Sequence, residues 1–582
     1  MKWKSDEFKI AINMAGAVSA GAYTAGVLDF LMEALEEWQK AKDALRAYLA
    51  EPQSASAAPP LVPLHDITIE AFSGASAGGM CAAIASVMVQ QEFAHIRTAQ
   101  ETNTNNTFYE AWVNQIDIRE LLKTQDVDDG QPLLSLLDST IVDTIAKTAL
   151  QPAAPKPQPY VSQSLTLLLA LTNVRGTPYL LYDDPSPTVD EFIAYYGDKL
   201  RFETTQAGAA PTSSAAKPLP SGAPGAGAWP LLQEAAKATG AFPLFLAPRI
   251  LTRDTADYAT PPWTTPCNAP APGPIPPAFP VPPPATIETL NVDAGITNNN
   301  PFQLAHDFLA GQNPRAHDCR NPRPPLEANC AVITVAPFPA TDEFDPKYNP
   351  AFNAGIWRML GRLVTVLVAQ SRFLGESLEA LTSAPSFSRF VVAPSDPEQA
   401  GASPLQCSLL GAFGGFFERG FRAHDFLLGR RNCQRFLSTH FCLPAENPVI
   451  SAGLNNAGLY SGAIANTFRL PPPNPKLAAP DYIWLPIIPC VGTAHEEVPA
   501  PRPAQIAASA LDEIVGLIVS RLKGVKSGLL EGAPWLLKTL LSVALSWPVD
   551  RAVKSKLRSA LSDALCPNVA GQQSSDCSPK GS

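Results

Sequence analysis

Two side chains in this 582-residue chain, Ser76 and Asp293, stand in surroundings suited to nucleophilic chemistry. Gly74-Ala75-Ser76-Ala77-Gly78 is a G-x-S-x-G pattern, in which a serine occupies a strained turn between a strand and a helix. Gly74 and Gly78 have a steric task there, because a turn this sharp leaves no room for side chains on either side of the serine. A helix starting at Ala77 aims its unpaired N–H groups and positive dipole end at the position where charge develops in acyl transfer. Five residues are too short a pattern to stand alone, and an ordinary small-residue turn is the bland alternative. The context strengthens the sharper reading: Ile67 to Phe72 is apolar and β-prone, and Ala77 to Val89 suits a buried helix.

A serine nucleophile needs a base, and histidine is the usual one. The chain has seven histidines. None follows an acidic residue in a late loop as a triad requires, although the sequence leaves His424 and His495 open. Asp293 fits better: it ends an expected strand, Ile287 to Val292, and Ala294-Gly295 follows in a tight turn. It would then share a sheet edge with Ser76, where active sites of open α/β sheets lie. Its bland alternative is a turn aspartate that satisfies local N–H groups. Asp129-Gly130 is a rival with no strand before it.

These side chains need elements to carry them. Phe8 to Met14 reads as a first strand, followed by the small-residue run AGAVSAGAYTAG from Ala15 to Gly26 and an amphipathic helix with Val27, Leu28, Leu31, Leu35 and Trp38 on one face. Such a strand-to-helix turn commonly cradles an anion on backbone N–H groups. Close packing of helix on strand is the alternative. The dinucleotide version fails for want of G-x-G-x-x-G. Val18 is expected at negative φ with its side chain turned away from Ser76. Strand, helix and elbow strand make one unit of a mostly parallel α/β sheet.

Together these segments resemble the patatin-like phospholipases, large bacterial members included. That family has an N-terminal glycine-rich oxyanion loop ending in G-V-L, a G-x-S-x-G elbow and a later D-G-[GA] aspartate. The matches here are Gly16 to Gly21 with Gly26-Val27-Leu28, then Ser76, then Asp293. Ala238 to Phe245 echoes the small-residue run before the family's aspartate, and FRAHDFLLGRR resembles a segment of large members. The match covers a discontinuous core within residues 8 to about 310. It implies a three-layer α/β/α hydrolase core, a Ser-Asp dyad without histidine or cofactor, and an oxyanion hole from the N–H groups of Gly16, Ala17, Val18, Ser19 and Ala77. The implied activity is lipid acyl hydrolysis of the phospholipase A type; a hydrolase of soluble acyl esters or thioesters and a non-catalytic lipid-binding protein are the alternatives. This chain departs from the family in lacking the loop's second and third glycines and its Arg or Lys, and in reading Asp-Ala-Gly for Asp-Gly-[GA].

Composition limits the partners. With 16% charged residues and a net charge of −10 there is no basic field for nucleic acid. The ten cysteines include no C-x-x-C pair, and the spacing of Cys433, His440 and Cys442 fits no familiar metal site. Charges up to Lys9 run straight into the first strand, so no signal peptide is expected; the longest late apolar run, Trp535 to Trp547, is broken by Lys538 and too short to span a bilayer, and the chain reads as cytoplasmic with peripheral membrane contact open through Trp535, Trp547, Lys554, Lys556 and Arg558. Arg419, Arg422, Arg430 and Arg431 suit either lipid phosphate or internal pairing.

Sixty prolines punctuate the chain. They place Pro/Ala-rich insertions at about 95–165, 206–229 and 255–285 within a core spanning 1–395, followed by a mainly helical extension, 396–582. Gln206 to Trp229 is expected to be mobile. Leu165 to Val174 and Pro178 to Leu181 read as strands joined by a turn, Ala331 to Ala336 and Phe387 to Ala393 as further strands, and Ile356 to Leu381, 504–523 and 535–546 as helices. A helix is expected from Phe302, with Pro301 in its first position and Asn300 as its cap.

Overall fold

The computed structural model describes residues 3–51, 60–101, 104–127, 133–151, 155–180, 191–223, 225–258, 277–339, 359, 366, 371, 386–396, 403–473, 482–531 and 551–565. In chain order the principal elements are β1 (Glu7–Met14), α1 (Gly21–Ala50), β2 (Asp66–Gly74), α2 (Ala77–Met88), α3 (Thr140–Ala149), β3 (Val161–Leu180), β4 (Phe192–Thr205), β5 (Lys217–Pro220), α4 (Trp229–Thr239), β6 (Arg249–Asp254) and β7 (Thr286–Val292). There follow α5 (Phe302–Ala310), β8 (Cys330–Val335), β9 (Arg389–Val392), α6 (Arg419–Thr439), β10 (Cys442–Pro444), β11 (Trp484–Pro486), α7 (Ala508–Glu531) and α8 (Arg551–Leu565).

Side-chain alternation along β1 explains the layering. Phe8, Ile10, Ile12 and Met14 enter one core with Leu28, Leu31 and Leu35 of α1 and with Ala82 and Ala85 of α2. Ala11 points the other way, into a second core with Phe302, Ala305 and Leu309 of α5 and with Val332 of β8. A period of two therefore puts helices on both faces of the sheet. Strand order is β5-β4-β3-β2-β1-β8-β9, with β6 and β7 joined through β3. The pairs β1/β2, β1/β8, β2/β3, β4/β5 and β8/β9 are parallel, and β3/β4, β3/β7 and β6/β7 antiparallel. The molecule is thus an α/β protein with a mostly parallel central sheet, compatible with three α/β/α layers.

Several expectations need correction. Leu165 to Leu181 is not two strands: β3 runs unbroken from Val161 to Leu180, and the expected turn is an irregularity between Thr172 and Thr177 that contains left-handed Gly176. Its antiparallel partner β4 carries Asp198, Lys199, Arg201 and Glu203, charges that hid it from a search for apolar runs. The low-complexity stretch 206–229 contains an edge strand, β5, and ends at buried Trp229, whose indole N–H donates to Pro220 O at 3.0 Å. Helix α5 begins at Phe302 with Pro301 in the cap position, and the Asn300 carboxamide instead accepts from Asn13 at 2.6 Å. Most of Ile356 to Leu381, and all of 535–546, lie outside the described residues, as does Asp129.

Helix α6 lies on α1, and four of its arginines, Arg419, Arg422, Arg430 and Arg431, take the internal role, whereas Arg435 is exposed. Arg430 is buried and ion-paired to Asp29 and Glu33 of α1. Arg422, also buried, donates to Val113 O (3.0 Å), Gly415 O (2.7 Å) and Asp117 (3.2 Å). Arg419 donates to Ala99 O and Glu101 O, and Arg431 to Val498 O. Buried guanidinium groups need such partners to offset their lost hydration. Phe436, Leu437, Phe441 and Leu485 join the same core as β1. Lys554 and Lys556 of α8 are exposed, and Arg558 pairs with Asp512 of α7. Trp535 and Trp547 lie outside the described residues.

Candidate active site

Strand β2 delivers Ser76 to the carboxyl edge of the sheet, and the chain reverses there in one residue. Ser76 has φ 54° and ψ −133°, a conformation that costs an L-residue about 1–3 kcal/mol and persists only where its surroundings impose it. They do so here. A Cβ on Gly74 would stand 2.5 Å from Gly78 O, and one on Gly78 2.2 Å from Met14 O, so the end of β1, the elbow and the start of α2 are pressed backbone to backbone. Ala75 N–H donates to Met14 O at 3.2 Å.

Asp293 follows the end of β7. The two candidate residues, 217 positions apart in sequence, meet: the Ser76 hydroxyl donates to Asp293 Oδ2 at 2.6 Å. The other carboxylate oxygen, Oδ1, accepts the Gly295 N–H at 2.6 Å. Thr172 Oγ1 of β3 donates to the Asp293 carbonyl at 2.9 Å, and the Asp293 N–H donates to Ala241 O at 2.9 Å. Ala294 is fully buried against Ala75 and Ala170 and is not left-handed, so the fold accommodates alanine after the aspartate. None of the seven histidines hydrogen-bonds to either residue; His424 instead bonds Asp425 within α6.

Electrostatics tune the pair for proton transfer. Burial raises the Asp293 carboxyl to about 6, opposed by the hydrogen bonds from Ser76 and Gly295, which favour the carboxylate. A carboxylate of that basicity in direct contact with a hydroxyl can take its proton and return it without an intermediary.

The small-residue loop sits beside the pair, with two departures from expectation. The Gly16 N–H donates to Asn299 O at 2.9 Å and is thereby withdrawn from any oxyanion role. A Cβ at Gly16 would stand 2.0 Å from Asn299 Oδ1 and 3.1 Å from Ser76 Cβ, so the approach of loop to elbow requires glycine. Val18 has φ 48°, positive rather than negative. The cause is the route of the chain: it must pass from a backbone fixed at Gly16 into α1 through a single turn, Val18–Ala20, closed by Ala20 N–H to Ala17 O at 2.9 Å. Val18 also lines the same cavity as Ser76. A left-handed residue in such a loop turns successive N–H groups toward one point. Among the described residues no acceptor engages the N–H groups of Ala17, Val18 or Ala77. Ser19 is buried and fixes the loop from behind, donating to Ala412 O at 2.6 Å and accepting the Gly415 N–H at 3.1 Å.

Ser76 and Asp293 open onto a cavity of about 110 Å³. Its walls come from α2, α3, α4 and the segments around Trp112, Phe242 and Phe413, and include Met80, Ile84, Val142, Ile145 and Leu246. Besides the pair, Lys237 is the only charged residue in the lining among the described residues, and its ammonium is held by Asp143 (2.6 Å) and Glu234 (2.7 Å). Phe245 and Phe413 stack obliquely at 5.3 Å, and Phe413 meets Phe416 at 5.9 Å. Leu410, Gly411 and Ala412, just before Phe413, are all left-handed. Sequence reasoning missed the roles of Thr172 and Thr239, which hold the pair, and of Asn299, which holds the loop, although Thr172 lay in the expected strand Leu165 to Val174 and Thr239 in the stretch Ala238 to Phe245. Among the described residues no group of three or more metal-ligating side chains converges.

No family model matches the chain. It is 33% identical over 571 residues to the uncharacterized protein y4iI of Sinorhizobium fredii, an alignment that covers 89% of this chain and 75% of that protein. At that identity and coverage the chain belongs to the same family as y4iI.

Proposed function

We propose that the chain is a serine acyl hydrolase of the patatin-like type, acting on the acyl esters of lipids in the manner of a phospholipase A. The observation that carries this reading is the 2.6 Å contact of Ser76 Oγ with a buried carboxylate at the mouth of an apolar cavity. The cavity lining suits a hydrocarbon chain better than a polar acyl group, which favours lipid over soluble thioester. Contact with the membrane is proposed as peripheral; no helix among the described residues is long and apolar enough to cross one.

In the proposed mechanism Asp293 takes the Ser76 proton as Oγ attacks the ester carbonyl. The N–H groups of Ala17, Val18 and Ala77 stabilise the oxyanion, and the C–O bond to the alcohol breaks as Asp293 returns the proton to the leaving oxygen. Water, deprotonated by Asp293, then attacks the acyl-serine; the bond from the acyl carbon to Oγ breaks as Asp293 returns the proton to Ser76 Oγ, and the acid is released. Because the base must be ionised, kcat/KM is expected to fall on the acid side with a midpoint near pH 6 and to level off above pH 7. A limb centred below pH 5 would detach Asp293 from the role.

The oxyanion assignment predicts a contrast. Ala17→Pro deletes an N–H and forces φ from −147° toward about −65°, which should lower kcat by at least about 10²-fold. Val18→Gly keeps its N–H and relieves the left-handed valine, so activity should be largely retained and the melting temperature should not fall. Equal losses in both variants would make the loop a packing element only. The reading as a whole is tested by assaying the protein and Ser76→Ala on phospholipid vesicles and on acyl esters of graded length. Hydrolysis of long-chain lipid esters lost in Ser76→Ala supports it; activity confined to soluble acetyl or thioester substrates would replace lipid with the soluble class.

A further inference from the structure

Between α4 and β6 the chain passes directly behind the candidate pair, and it touches both members. Thr239, the last residue of α4, is fully buried; its Oγ1 accepts the Ser76 N–H at 3.0 Å and donates to Ala170 O of β3 at 2.8 Å. Two residues on, Ala241 O accepts the Asp293 N–H at 2.9 Å. One short segment thus holds the backbone of the hydroxyl donor and that of its acceptor; from the sheet, Ala170 O of β3 anchors the Thr239 hydroxyl and Thr172 Oγ1 anchors the Asp293 carbonyl.

We propose that Thr239 is a positioning residue for Ser76: its hydroxyl captures the serine's own backbone N–H, holds the left-handed turn in place, and so sets the distance from Ser76 Oγ to Asp293. This rests on the reading of Ser76 as nucleophile. The hydroxyl is needed for both hydrogen bonds, since a methyl group in its place would leave the buried Ser76 N–H without its acceptor and take a donor from Ala170 O. Serine could make the same bonds, whereas valine preserves the shape alone. The capture has a second effect: with the Ser76 N–H turned to Thr239, the oxyanion donors must come from Ala77 and the Ala17-Val18 loop. The threonine methyl also lies against α2, where a Cβ on Gly79 would meet it at 2.7 Å, so the side chain is fixed by packing as well as by hydrogen bonds.

The test compares Thr239→Val and Thr239→Ser with the unaltered protein in two measurements: the rate of labelling by a fluorophosphonate, and amide hydrogen exchange of the segment around Ser76. Thr239→Val should slow labelling by about 10²-fold, the cost typical of a misplaced reacting group. On an ester substrate it should lower kcat with little change in KM, and move the acid limb to higher pH because Asp293 loses part of the serine's hydrogen bond. Exchange at Ser76 should accelerate. Thr239→Ser should restore labelling to within a few-fold and keep exchange slow. Labelling and exchange unchanged in Thr239→Val would overturn the proposal, as would a Thr239→Ser variant impaired as severely as Thr239→Val, since volume rather than the hydroxyl would then matter. A protein unreactive in its unaltered form would remove the nucleophile reading, and the exchange comparison would still decide whether Thr239 braces the turn.

Discussion

Ser76→Ala is expected to lower acyl-ester turnover by at least about 10⁴-fold while leaving the protein folded. The size of the effect follows from the absence of a substitute. Among the described residues the cavity lining has no second hydroxyl or thiol, and Cys81, the nearest cysteine in sequence, is buried with its thiol pushed above the ordinary range by desolvation. Alanine suits the fold because the turn is held by backbone contacts: Ser76 N–H to Thr239, Ala75 N–H to Met14 O, and the glycine contacts at 74 and 78. Binding of a lipid should survive, since the cavity walls are untouched. Retained turnover with unchanged kinetics would remove Ser76 from the mechanism.

Asp293→Asn should lower kcat by about 10³–10⁴-fold, because the amide is nearly isosteric but cannot accept the serine proton. The same substitution should stabilise the protein at neutral pH, and the sign can be worked out. The folded carboxyl titrates near 6 against an ordinary 3.8, so the native state binds the proton more tightly than the unfolded state. The associated stability is fully present below about pH 4 and is lost as pH rises through 6. At pH 7.5 the wild type therefore carries a buried charge worth up to about 3 kcal/mol, which asparagine lacks. Thermal melts should show Asp293→Asn above wild type at pH 7.5, with a narrower gap at pH 4.5. A variant that is inactive and also less stable at both values would mark Asp293 as structural.

Much of this site is legible in sequence because its signals are local. A strand, a five-residue turn and a helix are contiguous around Ser76, and Asp293 directly follows a strand, so each can be read within its own window. What is not legible depends on partners distant in the chain. Strand β4 carries four charges between Asp198 and Glu203, which interrupt the apolar run, and becomes a strand by pairing with β3. Val18 is driven to positive φ by the capture of Gly16 by Asn299, 283 positions away, and nothing near Val18 announces it. Four arginines of α6 are settled by acids on α1 and by carbonyl groups scattered from Ala99 to Val498. Thr239 looks like one more small residue at a helix end until Ser76 is placed against it.

The central claim is that Ser76 is a nucleophile activated by Asp293, and covalent labelling tests it most directly. The unaltered protein is incubated with a fluorophosphonate at pH 7.5 and analysed by intact mass and peptide mapping, beside Ser76→Ala and Asp293→Asn. The account predicts one adduct on the peptide carrying Ser76, none in Ser76→Ala, and labelling slowed by orders of magnitude in Asp293→Asn. An adduct on another residue, or equal labelling in Ser76→Ala, would contradict it.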